Sequence, residues 1–191
     1  MRTENKWNKK NALWMLLYAV LYVVMSFIVC VLGSVHPVFF VCYQITAGLL
    51  VTGVAAKAFD KIGAFGAACC LSLVMLAVFF AMQDANLWHC VPVIAIAVLA
   101  EMIRMVSKYN ASGNMISAVI MSFSTFGYYG QIWFNRDYTY ECAVEEMPAG
   151  YAETLMNCSP AWAFPVVIII GTAAAVVNYN ITKKLFKFEQ Q

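Results

Sequence analysis

Apolar residues along this chain fall into six blocks of about twenty, separated by short polar or glycine-containing breaks. The blocks cover residues 12–32, 35–56, 62–82, 87–103, 115–134 and 161–181. At a helical rise of about 1.5 Å per residue, each can cross a hydrocarbon layer of about 30 Å, with different tilts. None shows the strict apolar–polar alternation of a barrel strand. Lipid leaves a spanning backbone only itself to bond to, so helices are the expected form. The pattern predicts an all-α integral membrane protein: a single membrane domain over 1–191 with six transmembrane helices and an outer loop over 135–160. Pro92 sits near the first turn of the fourth span, where proline is tolerated. The first block exceeds the apolar region of a signal peptide, and no small-x-small site is obvious before His36 and Pro37. It is expected to stay as the first helix.

Composition agrees with lipid as the solvent. The chain is 63% hydrophobic and 12% charged, against roughly 25% charged in a soluble domain. Charge adds an orientation. Arg2, Lys6, Lys9 and Lys10 precede the first span, and Lys57 and Lys61 lie between the second and third. Arg104 and Lys108 lie between the fourth and fifth, and Lys183, Lys184 and Lys187 close the sixth. That puts eleven of the twelve cations on one side, with Arg136 opposite. Positive loops stay inside, so both termini are expected in the cytoplasm. Asp84, Asp137, Glu141, Glu145, Glu146 and Glu153 then face outward, and the asymmetry excludes a soluble nucleic-acid binder.

The outer loop, NRDYTYECAVEEMPAGYAETLMNCSP, interrupts its acids with tyrosines, a Pro148-Ala149-Gly150 turn and a helical patch over 152–156. It is either a solvated cap or a lid over an outward-facing pocket. In the fifth span, Tyr128, Gln131 and Asn135 share a face by i, i+3, i+7 spacing. An amide facing lipid is costly, so this face lines a pocket or packs against a neighbour, with Trp133 serving the site or an interfacial belt. At the same level lie Tyr43, Asp84, Trp88 and His89 of the DANLWH connection, Trp162, and His36 at another outer helix end. Together these ten residues make a candidate substrate site, largely apolar with a few convergent polar groups. The histidines serve equally well as interfacial residues.

Of seven cysteines, Cys30, Cys42, Cys69, Cys70 and Cys90 fall within or at the ends of spans, where cysteine acts as a small hydrophobe. Cys142 and Cys158 share the outer loop, and an oxidising compartment would permit a disulfide between them. No metal-binding spacing and no P-loop occur, so no metal or cofactor is expected. Glu101 and Arg104, i and i+3 at the inner end of the fourth span, form a structural ion pair or meet a partner. Small residues spaced by four, Gly48 with Thr52, Ala64 with Ala68, and Gly171 with Ala175, allow helices to approach closely. They serve packing within the chain or docking onto another membrane protein.

Gly33 and Pro37, Ala100-Glu101 running into Lys108-Tyr109, Gly127-Tyr128 followed by Trp133, then Gly150-Tyr151 and Ser159-Pro160-Ala161-Trp162 resemble the Trep_Strep family of bacterial membrane proteins. The resemblance runs from about Lys10 to Lys184. That family is regarded as substrate-binding S components of energy-coupling factor (ECF) transporters. The resemblance implies a six-helix S-component bundle, ligand held near the outer face beneath connecting loops, and docking on a transmembrane coupling subunit driven by two ATPases. It assigns no ligand, and the first span, with Ala12 and Ala19 separated by bulkier residues, departs from the Ala-x-x-x-Ala docking pattern. The expected function is capture of a small vitamin-like or heterocyclic nutrient, with ATP hydrolysed by partner subunits. The alternatives are an accessory subunit, or an intramembrane enzyme using Glu101, or Glu145 and Glu146, with His89. Glu101 and His89 stand about 18 Å apart along one helix, which argues against their sharing an active site.

Overall fold

The computed structural model describes residues 7–188, and among them there are helices and no strand. Arg2 and Lys6, two of the cations used for orientation, lie outside the described residues. The elements are α1 (Lys9–Val35), α2 (Pro37–Val41), α3 (Tyr43–Lys61), α4 (Ala67–Ala81), α5 (Leu87–Val106), α6 (Ala111–Met121), α7 (Phe126–Tyr129), α8 (Gln131–Phe134), α9 (Arg136–Glu146), α10 (Tyr151–Cys158) and α11 (Ala163–Leu185). Polar residues at the breaks cap the helices that follow. The side chains of Asn8, Asn86 and Asn110 accept the backbone N–H groups of Asn11, His89 and Gly113 at 2.8–3.0 Å. Each satisfies a donor that a helix start leaves without a partner.

Three helices, α1, α5 and α11, are long and apolar enough to cross a membrane. The other predicted spans are helical but shorter or broken. The block at 35–56 divides into the end of α1, the short α2 and α3, because Pro37 starts a new helix capped by His36. The block at 62–82 becomes the 15-residue α4, preceded by an irregular turn in which Gly66 takes φ +92°. The block at 115–134 is cut into α6, α7 and α8. The long helices turn apolar residues outward, for example Leu13, Leu16, Val20 and Phe27 of α1, and α1 keeps Asn11 and Ser26 inside, as lipid demands.

Residues of α3 form the centre, packed along α11, α1 and α6. A Cβ placed on Gly48 would meet the Gly171 carbonyl oxygen at 2.5 Å, and one on Gly171 would meet the backbone of Gln44 at 2.9 Å. The two backbones touch because neither residue carries a side chain. Thr52, Ala64, Ala68 and Ala175 are buried as well. All six small residues considered for partner docking are thus buried within the chain, where they let its own helices approach.

The break after α6 is stitched from within. The Tyr22 hydroxyl donates to the Met121 carbonyl at 2.7 Å and lies 2.6 Å from Ser124 Oγ. Gln44 accepts from the Tyr129 hydroxyl at 2.6 Å and donates to Ser122 Oγ at 3.0 Å. A helix interrupted inside apolar surroundings survives when neighbours satisfy the groups it releases.

Candidate functional site

The break leads directly to a cavity. Pro92, inside α5, has no N–H for the Trp88 carbonyl one turn earlier. Gly127 of α7 backs onto that carbonyl: a Cβ there would run into Trp88 O and lie 2.8 Å from Pro92 Cγ. The close approach carries Tyr128 across the start of α5, against His89 at 5.3 Å and Phe40 at 5.4 Å between ring centroids. Above these rings is a cavity of about 130 Å³, walled by Asp84, Asn86 and Gln131 and roofed by residues of α9 and α10.

The roof is ordered by specific bonds. Arg136 donates to the Met156 carbonyl at 2.6 Å and to the Ser159 carbonyl at 3.0 Å, capping the end of α10. Tyr140 donates to Glu153 at 3.2 Å, and the Tyr151 hydroxyl donates to the Gly33 carbonyl at 2.6 Å, tying α10 to the end of α1. Burial pushes the Tyr151 phenol up to about 12, so it remains a donor through the neutral range. With these ties, α9 presents Tyr138, Thr139, Cys142, Ala143 and Glu146 to the cavity, a spacing of three and four that defines one helix face. A hydrogen bond to Cys142 holds the Tyr138 phenol above its ordinary value.

The buried His89 ring is held from its own helix start. Its Nδ1 lies 3.0 Å from the Asp84 carbonyl oxygen, 3.1 Å from Asp84 Oδ1 and 3.1 Å from the Asn86 amide. Gln131 donates to the Gly127 carbonyl at 2.9 Å and accepts from Asn135 at 3.4 Å. A second recess of about 80 Å³ adjoins the first, between α1 and α4. It is lined by apolar residues such as Val23, Phe27, Met75 and Phe79 together with Ser26, and Asp84 and Tyr128 line both spaces.

Of the ten residues expected at a substrate site, Asp84, His89, Tyr128 and Gln131 line the cavity. Tyr43 lies beneath, lining the second recess and stacked on Tyr129 at 5.0 Å. Asn135 reaches the site only through Gln131. The other four stand elsewhere. His36 caps α2, accepting from Val38 N at 3.2 Å. Trp133 donates to the Pro160 carbonyl at 3.2 Å and packs on Phe164. Trp88 and Trp162 are exposed, as interfacial indoles are.

Phe40, Tyr138, Cys142, Glu146 and Tyr151 join the lining without having been expected there. The three-and-four spacing of α9 was the available signal, hidden because the segment reads as a connecting loop. Cys142 and Cys158, the pair considered for a bridge, are not joined in this structure. Cys142 faces the cavity from α9, whereas Cys158, the last residue of α10, is not part of its lining. Among the described residues no cluster of histidine, cysteine or acid is arranged for a metal.

Over residues 9–190 the chain matches Trep_Strep, a family described as hypothetical bacterial integral membrane proteins, and it belongs to that family. No curated protein and no solved structure matches it.

Proposed function

We propose that this member of the Trep_Strep family is the substrate-binding S component of an ECF-type importer in the bacterial cytoplasmic membrane. It crosses six times, keeps both termini inside, and receives a small vitamin-like or heterocyclic nutrient at its outer face. The observation that carries this reading is the roofed cavity where the α6–α8 segment breaks. Interrupted helices that release polar groups around an enclosed space are a recurrent form of solute site in membrane carriers, and the aromatic, amide and carboxylate lining suits a small molecule. The chain has no P-loop, so the reading assigns ATP hydrolysis to two partner ATPases acting through a transmembrane coupling subunit. It assigns no catalysis to this chain, and the two alternatives, enzyme and accessory subunit, predict different recoveries in one experiment.

In that experiment the tagged protein is co-expressed with its host's ECF coupling subunit and ATPases, extracted gently, and the proteins and bound small molecules are identified by mass spectrometry. Recovery of the module with a bound small molecule is the expected result. A chain that returns alone, without module or small molecule, overturns the proposal in favour of an accessory subunit. Recovery of a chemically converted compound favours the enzyme.

A further inference from the structure

The cavity under α9 and α10 is one-sided in charge. Asp84 and Glu146 line it, and among the described residues no lysine or arginine does. Arg136, at the start of α9, is turned to the end of α10 by its bonds to Met156 and Ser159. The remaining wall is rich in ring faces: Phe40, Tyr128, Tyr138 and Tyr151. Aromatic faces carry negative charge density and attract a cation placed over them, most strongly where water is excluded. An anion in the same space would meet carboxylates and ring faces alike, and the one basic side chain in the lining, His89, is already turned to Asp84.

The adjoining recess supplies a second, independent feature. Its walls are apolar, yet the Ser26 hydroxyl reaches into that setting with only 5% of the residue exposed and without a hydrogen-bond partner among the described residues. A buried hydroxyl is ordinarily satisfied. Asp84 and Tyr128 belong to both linings, so the two spaces lie against the same pair of side chains.

We propose that the site takes an organic cation with an apolar or aromatic arm. The protonated head lies between the carboxylates of Asp84 and Glu146 among the rings of the roofed cavity. The arm lies along Tyr128 in the recess between α1 and α4, where Ser26 offers a hydrogen bond to a polar atom on it. This inference rests on the binding role proposed above and names the chemical class of what is bound.

Three probes with the same arm and different heads test it on the full-length protein in mild detergent: 2-phenylethylammonium, 2-phenylethanol and 3-phenylpropanoate. Binding is read by equilibrium dialysis and by ligand-dependent thermal unfolding. The cation is expected to bind about tenfold more tightly than the alcohol, with the anion weakest. Glu146→Gln should remove most of that preference, and adding Asp84→Asn should remove the rest. Glu145→Gln, on α9 but outside the lining, should leave it unchanged. Because Asp84 also holds His89, the Glu146→Gln result stands by itself if the double variant unfolds. Equal or tighter binding of the anion or the alcohol overturns the cation assignment while leaving a small-molecule site in place. A flat response to all three probes also overturns it. Whether the binding role then falls is decided separately by the module recovery described above, which uses none of these probes.

Discussion

Two polar clusters sit at opposite ends of α5, and they differ in what surrounds them. Near its last turn, Arg104 is fully buried and every side of it is occupied. It donates to the Ile62 carbonyl at 2.6 Å, to Asn114 Oδ1 at 3.2 Å and to both Glu101 oxygens at 3.2 Å, and lies 4.2 Å from the Phe59 ring. Glu101 in turn accepts the Ala68 N–H at 2.8 Å, at the start of α4. Near the first turn, Asp84 holds His89 but keeps 43% of its side chain exposed, and the cavity opens beside it. A planar guanidinium with all three nitrogens hydrogen-bonded welds the turn before α4 to α5 and α6. Polar groups that face open space keep bonding capacity for something that is not part of the chain. The saturated cluster holds the fold together, and the unsaturated one is the candidate site.

The largest expected effect comes from breaking the saturated cluster. Arg104→Ala would leave Glu101 buried without its counter-charge and the Ile62 carbonyl without its donor. Removing one member of such a pair typically costs about 3–5 kcal/mol. The purified variant should lose its cooperative thermal transition or its monodisperse elution in detergent. A wild-type melting profile would mean that the cluster is not what joins these helices.

Next in size is Gly127→Ala, which acts at the other cluster through the backbone. The added methyl collides with the Trp88 carbonyl, and backbone atoms cannot move aside as a flexible side chain can. Forced overpacking of this kind typically costs about 1–3 kcal/mol. Because α7 carries Tyr128, the shift should also distort the cavity, so probe affinity falls along with the melting temperature. Lowered stability with intact probe binding would separate Gly127 from the site.

Tyr128→Ala and Trp133→Ala sharpen the comparison within one segment of sequence. Tyr128 lines both spaces, and its loss should weaken binding of 2-phenylethylammonium by about tenfold, the scale of one good cation–ring contact plus packing. Trp133, which bonds Pro160 away from the cavity, should leave that affinity unchanged. The reverse outcome would place the ligand on the α8–α11 side.

How much of this could be read beforehand follows from what periodicity can encode. The membrane character and most helix positions follow from long apolar runs, but the run over 115–134 reads as one span and hides its division into α6, α7 and α8. Asp84, His89, Tyr128 and Gln131 stood out because polar groups in an apolar setting must face inward. Trp88 and Trp162 did not sort the same way, since an indole suits a lipid interface and a pocket equally well, and only tertiary packing decides which it meets. Arg104 near a helix end looked able to reach water, yet Phe59, Asn114 and the turn at 62–64 close over it. Tyr138, Cys142 and Glu146 were hidden for another reason. A face on α9 has meaning only once the segment is known to be a helix, and its mixed composition reads as a loop.

The smallest effect concerns the roof. Tyr151→Phe removes one hydroxyl whose 2.6 Å bond to Gly33 ties α10 to α1, a loss worth about 1 kcal/mol. Global unfolding should barely register it. Hydrogen exchange within α9 and α10 should, because Arg136 and Tyr140 hold the roof helices to each other, whereas Tyr151 holds them to the body. Titration gives the same answer without a mutation. Burial raises this phenol from an ordinary value of 10.0 to about 12, so the folded state keeps the proton more tightly than the unfolded one. Its contribution is complete below about pH 10 and is lost as pH rises to about 12. Exchange in the roof should therefore accelerate across that window beyond the intrinsic base-catalysed rate in the wild type. In Tyr151→Phe that extra acceleration should be absent. If both proteins respond alike, packing of α10 on α2 and of α9 on α8 holds the roof and the tie to Gly33 carries no weight.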